Sequence, residues 1–438
     1  MDKICITGGT PLVGEITIGG AKNAALPLMA ACLLTDEPLE LSNVPFLADI
    51  TTMANLLVHH GASLTVQSTN ESPNGRSLIL RADNIQDTTA PYDIVRKMRA
   101  SIIVLGPLLT RFGKAHISLP GGCAIGSRPI DIHLVALEQM GATITLENGY
   151  INASTSGTLH GAEIHLPFPS VGATENIILA ATLADGVTIL HNAAREPEIA
   201  DLCHCLVAMG ATIEGISSST VIITGVKKLH HARHHVIPDR IEAGTYATAA
   251  LMTNGDITLK EIDIPGMHAT LQALEQAGAE IIEDSQARTL RVKGTNGVKP
   301  FTLTTAPYPA FPTDMQAQMT ALAAIADGNS TITETIFENR FMHVPELRRM
   351  GAEITAHGST ITITGKPRRA DENTSGLHGA EVMATDLRAS VSLVLAALVA
   401  KGETTIRRVY HIDRGYERIE EKLRACGANI TRMRAKHV

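Results

Sequence analysis

Six apolar segments recur along the chain, and each is followed by a strand-like segment in which apolar and polar residues alternate. A helix that is apolar on every side must be buried, so these segments predict helices enclosed by sheets. The predicted buried helices are 24–34, 100–109, 174–184, 246–252, 315–326 and 389–400.

The dipeptide Gly-Ala marks the same repeat. It follows a helical stretch and precedes an alternating strand six times, at a spacing of about 70 residues. A glycine after the last helical turn is expected to be left-handed and to cap the helix. We therefore predict six equivalent units, whose length disfavours an open solenoid because solenoid repeats usually span about 20–50 residues. The six glycines are Gly61, Gly141, Gly210, Gly278, Gly351 and Gly427.

The repeat count also predicts the domain boundaries. The sixth unit ends at Met433 without a return strand, whereas residues 1–21 contain two strands that lie outside the first unit. We expect these strands to complete the C-terminal half. Residues 22–238 would form one domain from units one to three, and residues 1–21 and 239–438 would form the other, with a cleft between them.

Composition narrows the classes of function. The chain has 438 residues, 44% of them hydrophobic, with a formal net charge of −7, 3% aromatics and no tryptophan. This balance gives no basic surface for nucleic acid and few rings on which bases could stack. The chain begins without the apolar core of a secretory signal, and no apolar run reaches the ~20 residues that span a bilayer. Six scattered cysteines fit a reducing compartment, so we expect a cytoplasmic protein that does not engage a membrane.

Two groups of metal-ligand residues are interpreted as incidental. Cys203, His204 and Cys205 are consecutive in a predicted helix, where neighbours point in different directions and do not converge on one ion. The histidines at 230, 231, 234 and 235 fall in a polar stretch that we interpret as a solvated linker. We expect no metal and no cofactor.

The loop 120–129 combines a thiol, a guanidinium and three glycines. Glycines let the backbone approach a ligand or hinge over it, and a neighbouring Arg128 favours the thiolate of Cys123. Cys123 is then a candidate nucleophile or proton donor. The alternative is a glycine turn before a helix, with Cys123 as small apolar filler, and the loop alone favours neither interpretation.

Basic residues begin three of the predicted buried helices, at Lys22, Arg99 and Arg388. A cation at a helix N-terminus is unfavourable by about 0.3–1 kcal/mol unless an anion compensates. Taken together, the three indicate a polyanionic ligand. Taken singly, each is better explained by a local ion pair, such as Asp386 with Arg388 or Asp93 with Arg96.

Seven motifs, in order along the whole chain, resemble the UDP-N-acetylglucosamine 1-carboxyvinyltransferases, a family of enolpyruvyl transferases. They are GAKNAALP (20–27), PGGCAIGSRP (120–129), AREPE (194–198), FPTDMQAQ (311–318), ENRFMH (338–343), MATDLRAS (383–390) and HIDRGYER (411–418). The resemblance implies an α/β fold, the two-domain inside-out α/β barrel, in which each domain has three βαβαββ units around buried parallel helices. That architecture agrees with the six units counted independently.

The resemblance further implies transfer of the enolpyruvyl group of phosphoenolpyruvate to the 3-hydroxyl of UDP-N-acetylglucosamine, with release of phosphate, in the first committed step of peptidoglycan synthesis. Cys123 is implied as the proton donor and as a site of covalent adduct formation, and Asp314 as the base or orienter of the sugar hydroxyl. From the residues, Asp314 is also expected to cap the following helix.

Other implied roles are binding roles. The residues for phosphoenolpyruvate are Lys22, Asn23, Arg128 and Arg414, of which Lys22 and Arg414 also count as catalytic. The residues for the nucleotide sugar are Arg99, Arg128, Pro129, Ile130, Asp131, Ile132, Ser170, Val171, Asp314 and Ile336. Arg340, Asp386 and Arg388 are implied to act electrostatically and in domain closure.

Two rival functions remain. The sister enzyme that acts on shikimate 3-phosphate shares the implied fold, but Cys123 in its glycine loop and the GAKN start argue against it. A non-catalytic nucleotide-sugar sensor would keep the fold and lose the catalytic groups, all of which are present here. One departure from the family pattern is Phe168, where many members have lysine. The thiol at position 123 predicts inactivation by the epoxide fosfomycin.

Overall fold

A computed structural model of the protein describes residues 2–68, 76–120, 130–295, 297–367 and 374–434. Its strands are β1 (Lys3–Thr7), β2 (Val13–Thr17), β3 (Leu39–Val44), β4 (Ser63–Ser68), β5 (Arg76–Arg81), β6 (Thr89–Ala90), β7 (Lys114–Ser118), β8 (Thr143–Glu147), β9 (Tyr150–Ser154), β10 (Glu163–His165), β11 (Val187–His191), β12 (Thr212–Glu214), β13 (Thr220–Thr224), β14 (Ala232–His235), β15 (Asp256–Lys260), β16 (Glu280–Asp284), β17 (Thr289–Lys293), β18 (Thr302–Thr304), β19 (Asn329–Thr333), β20 (Glu353–His357), β21 (Thr360–Thr364), β22 (Glu381–Met383), β23 (Glu403–Arg407) and β24 (Asn429–Met433).

The α-helices are α1 (Lys22–Ala31), α2 (Ala48–His60), α3 (Tyr92–Val95), α4 (Leu105–Phe112), α5 (Asp131–Gln139), α6 (Val171–Ala181), α7 (Pro197–Ala208), α8 (Arg240–Met252), α9 (His268–Gln276), α10 (Gln316–Ala323), α11 (Val344–Arg349), α12 (Leu387–Val399) and α13 (Ile419–Ala425). Short 3-10 turns occur at Cys32–Leu34, Arg99–Val104, Pro265–Met267, Thr313–Met315 and Val409–Arg414.

The described strands form six sheets of one design. Each sheet has four strands and one parallel pair, and its remaining pairings are antiparallel, as in the order β6-β7-β9-β8. The six apolar segments are mostly helical and buried, as the pattern predicts, although α6 ends at Ala181 and α10 at Ala323, three residues before the predicted ends. The helix predicted at 246–252 begins earlier, at Arg240, where the side chain of Asp239 accepts hydrogen bonds from the first turn.

The Gly-Ala prediction is confirmed in detail. The six glycines end α2, α5, α7, α9, α11 and α13, and each has a positive φ between 90° and 111°. A residue with a Cβ is strained in this conformation, which explains why glycine recurs there.

The chain divides into two compact units, whose described residues are 20–68, 76–120 and 130–237 in one and 2–19, 238–295, 297–367 and 374–434 in the other. Each unit has its own apolar core, one running from Ala21 to Val236 and the other containing Ile4 and Ile430. In the second unit β1 pairs with β23 and β24, and β2 pairs in parallel with β15.

The interpretation of the histidine stretch as a linker is wrong. Residues Ala232–His235 are strand β14, which pairs in parallel with β3 at the edge of a sheet. The stretch looked like a linker because an edge strand with one exposed face needs few apolar residues. His234 packs inward, and its Nε2 lies 2.7 Å from Oδ1 of the buried Asp201.

Candidate active site

Asp314 lies in the 3-10 turn Thr313–Met315, immediately before α10. Its carboxylate accepts a hydrogen bond of 2.6 Å from Nη2 of Arg340 and one of 3.2 Å from Nη2 of Arg388. The two arginine side chains are 8% and 3% exposed, whereas that of Asp314 is 24% exposed. The guanidinium groups therefore hold a carboxylate anion that a ligand can still reach.

The expectation that Asp314 caps the following helix is wrong. The residue at the N-cap of the 3-10 turn is Pro312, and no side chain caps either this turn or α10. Both carboxylate oxygens of Asp314 are instead engaged by arginines from other parts of the unit.

A buried glutamate supports this turn, and no motif or spacing in the sequence points to it. Glu334 is 1% exposed and accepts hydrogen bonds from the Thr313 hydroxyl at 2.8 Å and from the backbone N–H of Ile336 at 2.7 Å. Thr313 in turn accepts a hydrogen bond of 2.9 Å from Arg340. Glu334 thus fixes both the turn that carries Asp314 and the backbone of Ile336.

Arg388 is held by a buried polar network. Its Nη1 donates to the hydroxyl of Tyr416 at 3.4 Å, and that hydroxyl lies 2.9 Å from Oγ1 of Thr245 and 3.3 Å from Nε2 of Gln318. Burial lowers the pKa of Arg388, but Asp314, Tyr416 and Asp239 together outweigh this effect and raise the pKa above its ordinary value. Arg388 is therefore a permanent cation beside Asp314.

Asp386 caps α12. Its side chain accepts hydrogen bonds from the backbone N–H groups of Arg388 at 2.8 Å and Ala389 at 3.0 Å. The side-chain ion pair considered between Asp386 and Arg388 is not formed, because the guanidinium of Arg388 turns to Asp314 instead.

Arg414 ends the 3-10 turn Val409–Arg414 and is partly exposed. The turn starts after Arg408, a non-glycine residue with a left-handed φ of 58°. His411 lies in the same turn, and its pKa is lowered by burial and then by the charge of Arg414. Protonation of His411 beside Arg414 is thereby disfavoured.

Lys22 is the first residue of α1, whose first turn contains no acidic residue. Its Nζ lies 3.2 Å from Oδ2 of Asp49, and the two side chains are 11% and 5% exposed. Gly20 sets the approach to this helix, because a Cβ there would lie 1.8 Å from the backbone oxygen of Asn43. Asp49 was not singled out from the sequence, where nothing connects it to Lys22.

The other predicted residues of this unit begin helical segments. Asn23 follows Lys22 in α1, and Arg99 starts the 3-10 turn Arg99–Val104. Ser170 caps α6 and accepts a hydrogen bond of 3.4 Å from the backbone N–H of Ala173. The remaining members are Ile130 and Asp131 at the start of α5, Ile132 within it, and Val171, the first residue of α6.

Three predicted residues, Cys123, Arg128 and Pro129, lie outside the described residues. Cys203 and Cys205 lie within them, in α7. Burial raises the pKa of both thiols to about 12, so that neither readily becomes the thiolate that binds a metal. No helix in the described ranges is both long and apolar enough to cross a bilayer.

An acidic side chain in α6 has unusual electrostatics. The pKa of Glu175 is raised well above its ordinary value, first by burial and then by the charges of Glu198 and Glu196.

The neighbouring Asn176 connects α6 to the preceding repeat, because its side chain accepts a hydrogen bond of 2.6 Å from the N–H of Gly106.

Comparison with known proteins gives one consistent result. The family model described as EPSP synthase (3-phosphoshikimate 1-carboxyvinyltransferase) matches residues 6–423. UDP-N-acetylglucosamine 1-carboxyvinyltransferase of Paramagnetospirillum magneticum is 60% identical over 437 residues, which are 99% of each chain. The protein of that name from Granulibacter bethesdensis is 58% identical over 433 residues, covering 99% of this chain and 100% of the relative.

Solved structures agree on the fold. The enolpyruvyl transferase NikO from Streptomyces tendae matches with a TM-score of 0.86 at 24% identity over 99% of both chains. An EPSP synthase from Acinetobacter baumannii matches with a TM-score of 0.74 at 19% identity, over 99% of this chain and 100% of the other. The predicted inside-out α/β barrel is the fold that these neighbours support.

Proposed function

The chain belongs to the enolpyruvyl transferase family, among the UDP-N-acetylglucosamine 1-carboxyvinyltransferases, and we propose that it transfers the enolpyruvyl group of phosphoenolpyruvate to the 3-hydroxyl of UDP-N-acetylglucosamine. The observation that carries this proposal is the identity of 60% maintained from one end of the chain to the other. In this role the protein acts in the cytoplasm, at the first committed step of peptidoglycan synthesis.

The proposed reaction is an addition followed by an elimination. The sugar 3-hydroxyl oxygen bonds to the carbon of phosphoenolpyruvate that carries the phosphate, while a proton is added to the neighbouring methylene carbon. In the elimination, a proton leaves the former methylene carbon, the bond between the other carbon and the phosphate oxygen breaks, and the carbon–carbon double bond re-forms. The products are the enolpyruvyl ether of the sugar nucleotide and inorganic phosphate.

We assign Cys123 as the donor of the proton to the methylene carbon and Asp314 as the group that takes up or orients the proton of the sugar hydroxyl. The contacts of Asp314 support the second assignment. A carboxylate held by two guanidinium groups is a fixed acceptor, suited to aiming a hydroxyl at an electrophile. The contacts of Asp314 therefore support orientation of the hydroxyl as its main contribution.

Phosphoenolpyruvate is an anion, and we assign its phosphate and carboxylate to Lys22, Asn23, Arg128 and Arg414. Lysine offers a point charge and arginine a planar fork that binds such groups with two hydrogen bonds. For the nucleotide sugar we retain the residues at the starts of α5 and α6, together with Arg99 and Arg128. Ile336 is retained as a backbone contact, because the hydrogen bond that its N–H donates to Glu334 fixes the backbone at this position.

The proposed function is tested by measuring phosphate release from phosphoenolpyruvate with each acceptor in turn. We expect release that requires UDP-N-acetylglucosamine, and none with shikimate 3-phosphate. Lys22→Ala should abolish turnover, and because it removes the ammonium group beside the buried Asp49, thermal unfolding is measured to show that the variant is folded at the assay temperature. Release with shikimate 3-phosphate alone would make the chain the sister enzyme, and binding of the sugar nucleotide without turnover would make it a sensor.

The role of Cys123 has its own test. Fosfomycin should add its mass once to the intact chain, at Cys123, and turnover should fall in proportion to the labelled fraction. Labelling of another residue, or full activity of a labelled chain, would remove Cys123 from the mechanism without affecting the assignment of substrates.

A further inference from the structure

Two histidines and a glutamate meet on the outer face of the sheet β10-β11-β13-β12. Glu163 and His165 are two residues apart on β10 and therefore share one face, while the buried Ile164 between them points into the core. His191 lies directly beside His165 on the neighbouring parallel strand β11. None of these three residues is among those assigned to the reaction above.

The spacing of their polar atoms matches metal coordination. Nε2 of His191 lies 3.1 Å and Nε2 of His165 lies 3.6 Å from Oε1 of Glu163, and ligand atoms of all three residues lie within 4.8 Å of one another. Ligands bound at 2.0–2.1 Å to a tetrahedral ion lie about 3.3 Å apart. We propose that Glu163, His165 and His191 bind a divalent transition-metal ion, with Zn²⁺ as the representative case.

Binding requires only a small rearrangement. The two imidazole rings are stacked, with centroids 4.3 Å apart and an angle of 12° between their planes, so their Nε2 lone pairs run side by side. The second side-chain torsion of histidine is soft, and the side chain of His165 is 68% exposed, so its ring can turn until both lone pairs converge.

A hydrogen-bond partner of His191 favours the tautomer that metal binding needs. A metal takes Nε2 of a neutral imidazole, which leaves the ring proton on Nδ1. Nδ1 of His191 lies 3.4 Å from Oγ1 of Thr220, the residue opposite it on β13, and this hydroxyl can accept that proton's hydrogen bond. A partner of this kind orients a metal-bound histidine.

The ligand set selects the class of ion. Two imidazoles and one carboxylate suit Zn²⁺, Ni²⁺ or Cu²⁺, whereas Mg²⁺ and Ca²⁺ prefer sites built only from oxygen ligands. Across the described parts of the chain, this is the one group of three His, Cys, Asp or Glu side chains with such spacing. The bound ion would join β10, a three-residue edge strand, to the interior strand β11 and so stabilise this unit.

The site is tested by calorimetric titration of the full chain with ZnCl₂. The protein carries no histidine tag and its cysteines are kept reduced. We expect a binding event near one ion per chain, weakened at least tenfold in the double variant His165→Gln/His191→Gln and in Glu163→Gln. His204→Gln is the matched control, because it removes an exposed histidine from α7 of the same unit. It should leave the affinity unchanged.

Thermal unfolding provides the second readout. Zn²⁺ should raise the unfolding temperature of the wild type and of His204→Gln, but not that of the double variant. The unfolding temperatures without metal show whether each variant is folded. The proposal is overturned if the wild type does not bind Zn²⁺ at millimolar concentration, or if the folded double variant binds as tightly as the wild type.

Discussion

Nη2 of Arg388 lies 3.2 Å from Oδ2 of Asp314, although 74 positions separate the two residues in the chain. Arg388 belongs to one buried helix, α12, and Asp314 to the turn that precedes another, α10. Contact between the two helices of one unit therefore brings a permanent cation to the carboxylate that we assign to the sugar hydroxyl. Substitutions that disturb this contact should therefore change turnover.

Arg388→Lys should lower kcat/KM by about 10–100-fold, because an ammonium group cannot replace a fork that contacts both Asp314 and Tyr416. The measurement is steady-state phosphate release. Arg349→Lys is the matched control, since that side chain is 60% exposed in the same unit. Equal kcat/KM in both variants would contradict the role given to Arg388.

Tyr416→Phe should reduce kcat several-fold with little change in KM for either substrate. The variant keeps the ring but removes the hydroxyl that holds Arg388, Thr245 and Gln318 together, so Asp314 loses orientation while the binding residues remain. Tyr410→Phe, at a ring that is 47% exposed, should have no effect. A rise in KM at unchanged kcat would instead mean that Tyr416 serves binding.

Gly20→Ala should lower the free energy of unfolding by about 1–3 kcal/mol, as expected for overpacking against rigid backbone. The added Cβ would lie 1.8 Å from the oxygen of Asn43, so the start of α1 must move and Lys22 with it. Denaturant unfolding and turnover should both be affected. Gly157→Ala is the control, because a Cβ there meets nothing within 4 Å, and its stability should stay within ~0.5 kcal/mol of the wild type.

His343 should make stability depend on pH. Burial, and then the charge of Arg340, lowers the pKa of His343 to about 3, whereas the unfolded chain has an ordinary value near 6.5. The folded pKa is the lower one, so this contribution to stability is complete above about pH 6.5 and is lost as the pH falls toward 3. Between pH 7 and pH 5 the loss is about 2 kcal/mol.

The measurement is the free energy of unfolding at both pH values in wild type and His343→Met, a variant that cannot titrate. The difference between pH 7 and pH 5 should shrink in His343→Met. It should persist in His357→Met, which removes an exposed histidine from the same unit. An unchanged difference in His343→Met would show that His343 is accessible to protons in the folded chain.

Much of the fold follows from local patterns in the sequence. The helices α1, α6 and α12 are mostly apolar and buried along most of their length, and Gly61 or Gly351 can cap a helix because glycine tolerates a positive φ. Such signals are local, and the structure bears them out. Strand β14 was missed because its pattern of charged and histidine residues is polar, and only its pairing with β3 makes it a strand.

The side-chain contacts of the candidate site depend on tertiary packing and not on local sequence patterns. Lys22 and Asp314 stand in recognisable motifs, but their partners Asp49, Arg340 and Arg388 come from elements distant in sequence. No spacing rule connects residues that tertiary packing brings together. The position of Asp314 shows the consequence: the sequence favours a helix cap there, whereas the packed arginines capture the carboxylate.

The central claim is transfer of the enolpyruvyl group to the sugar nucleotide, and the most direct measurement is the identity of the product. Purified protein should be incubated with phosphoenolpyruvate and UDP-N-acetylglucosamine, and the nucleotide fraction analysed by mass spectrometry together with released phosphate. We predict a nucleotide heavier by one enolpyruvyl group and one phosphate per molecule formed, with no product from the Lys22→Ala variant. Unmodified UDP-N-acetylglucosamine after prolonged incubation with folded wild-type protein would contradict the account.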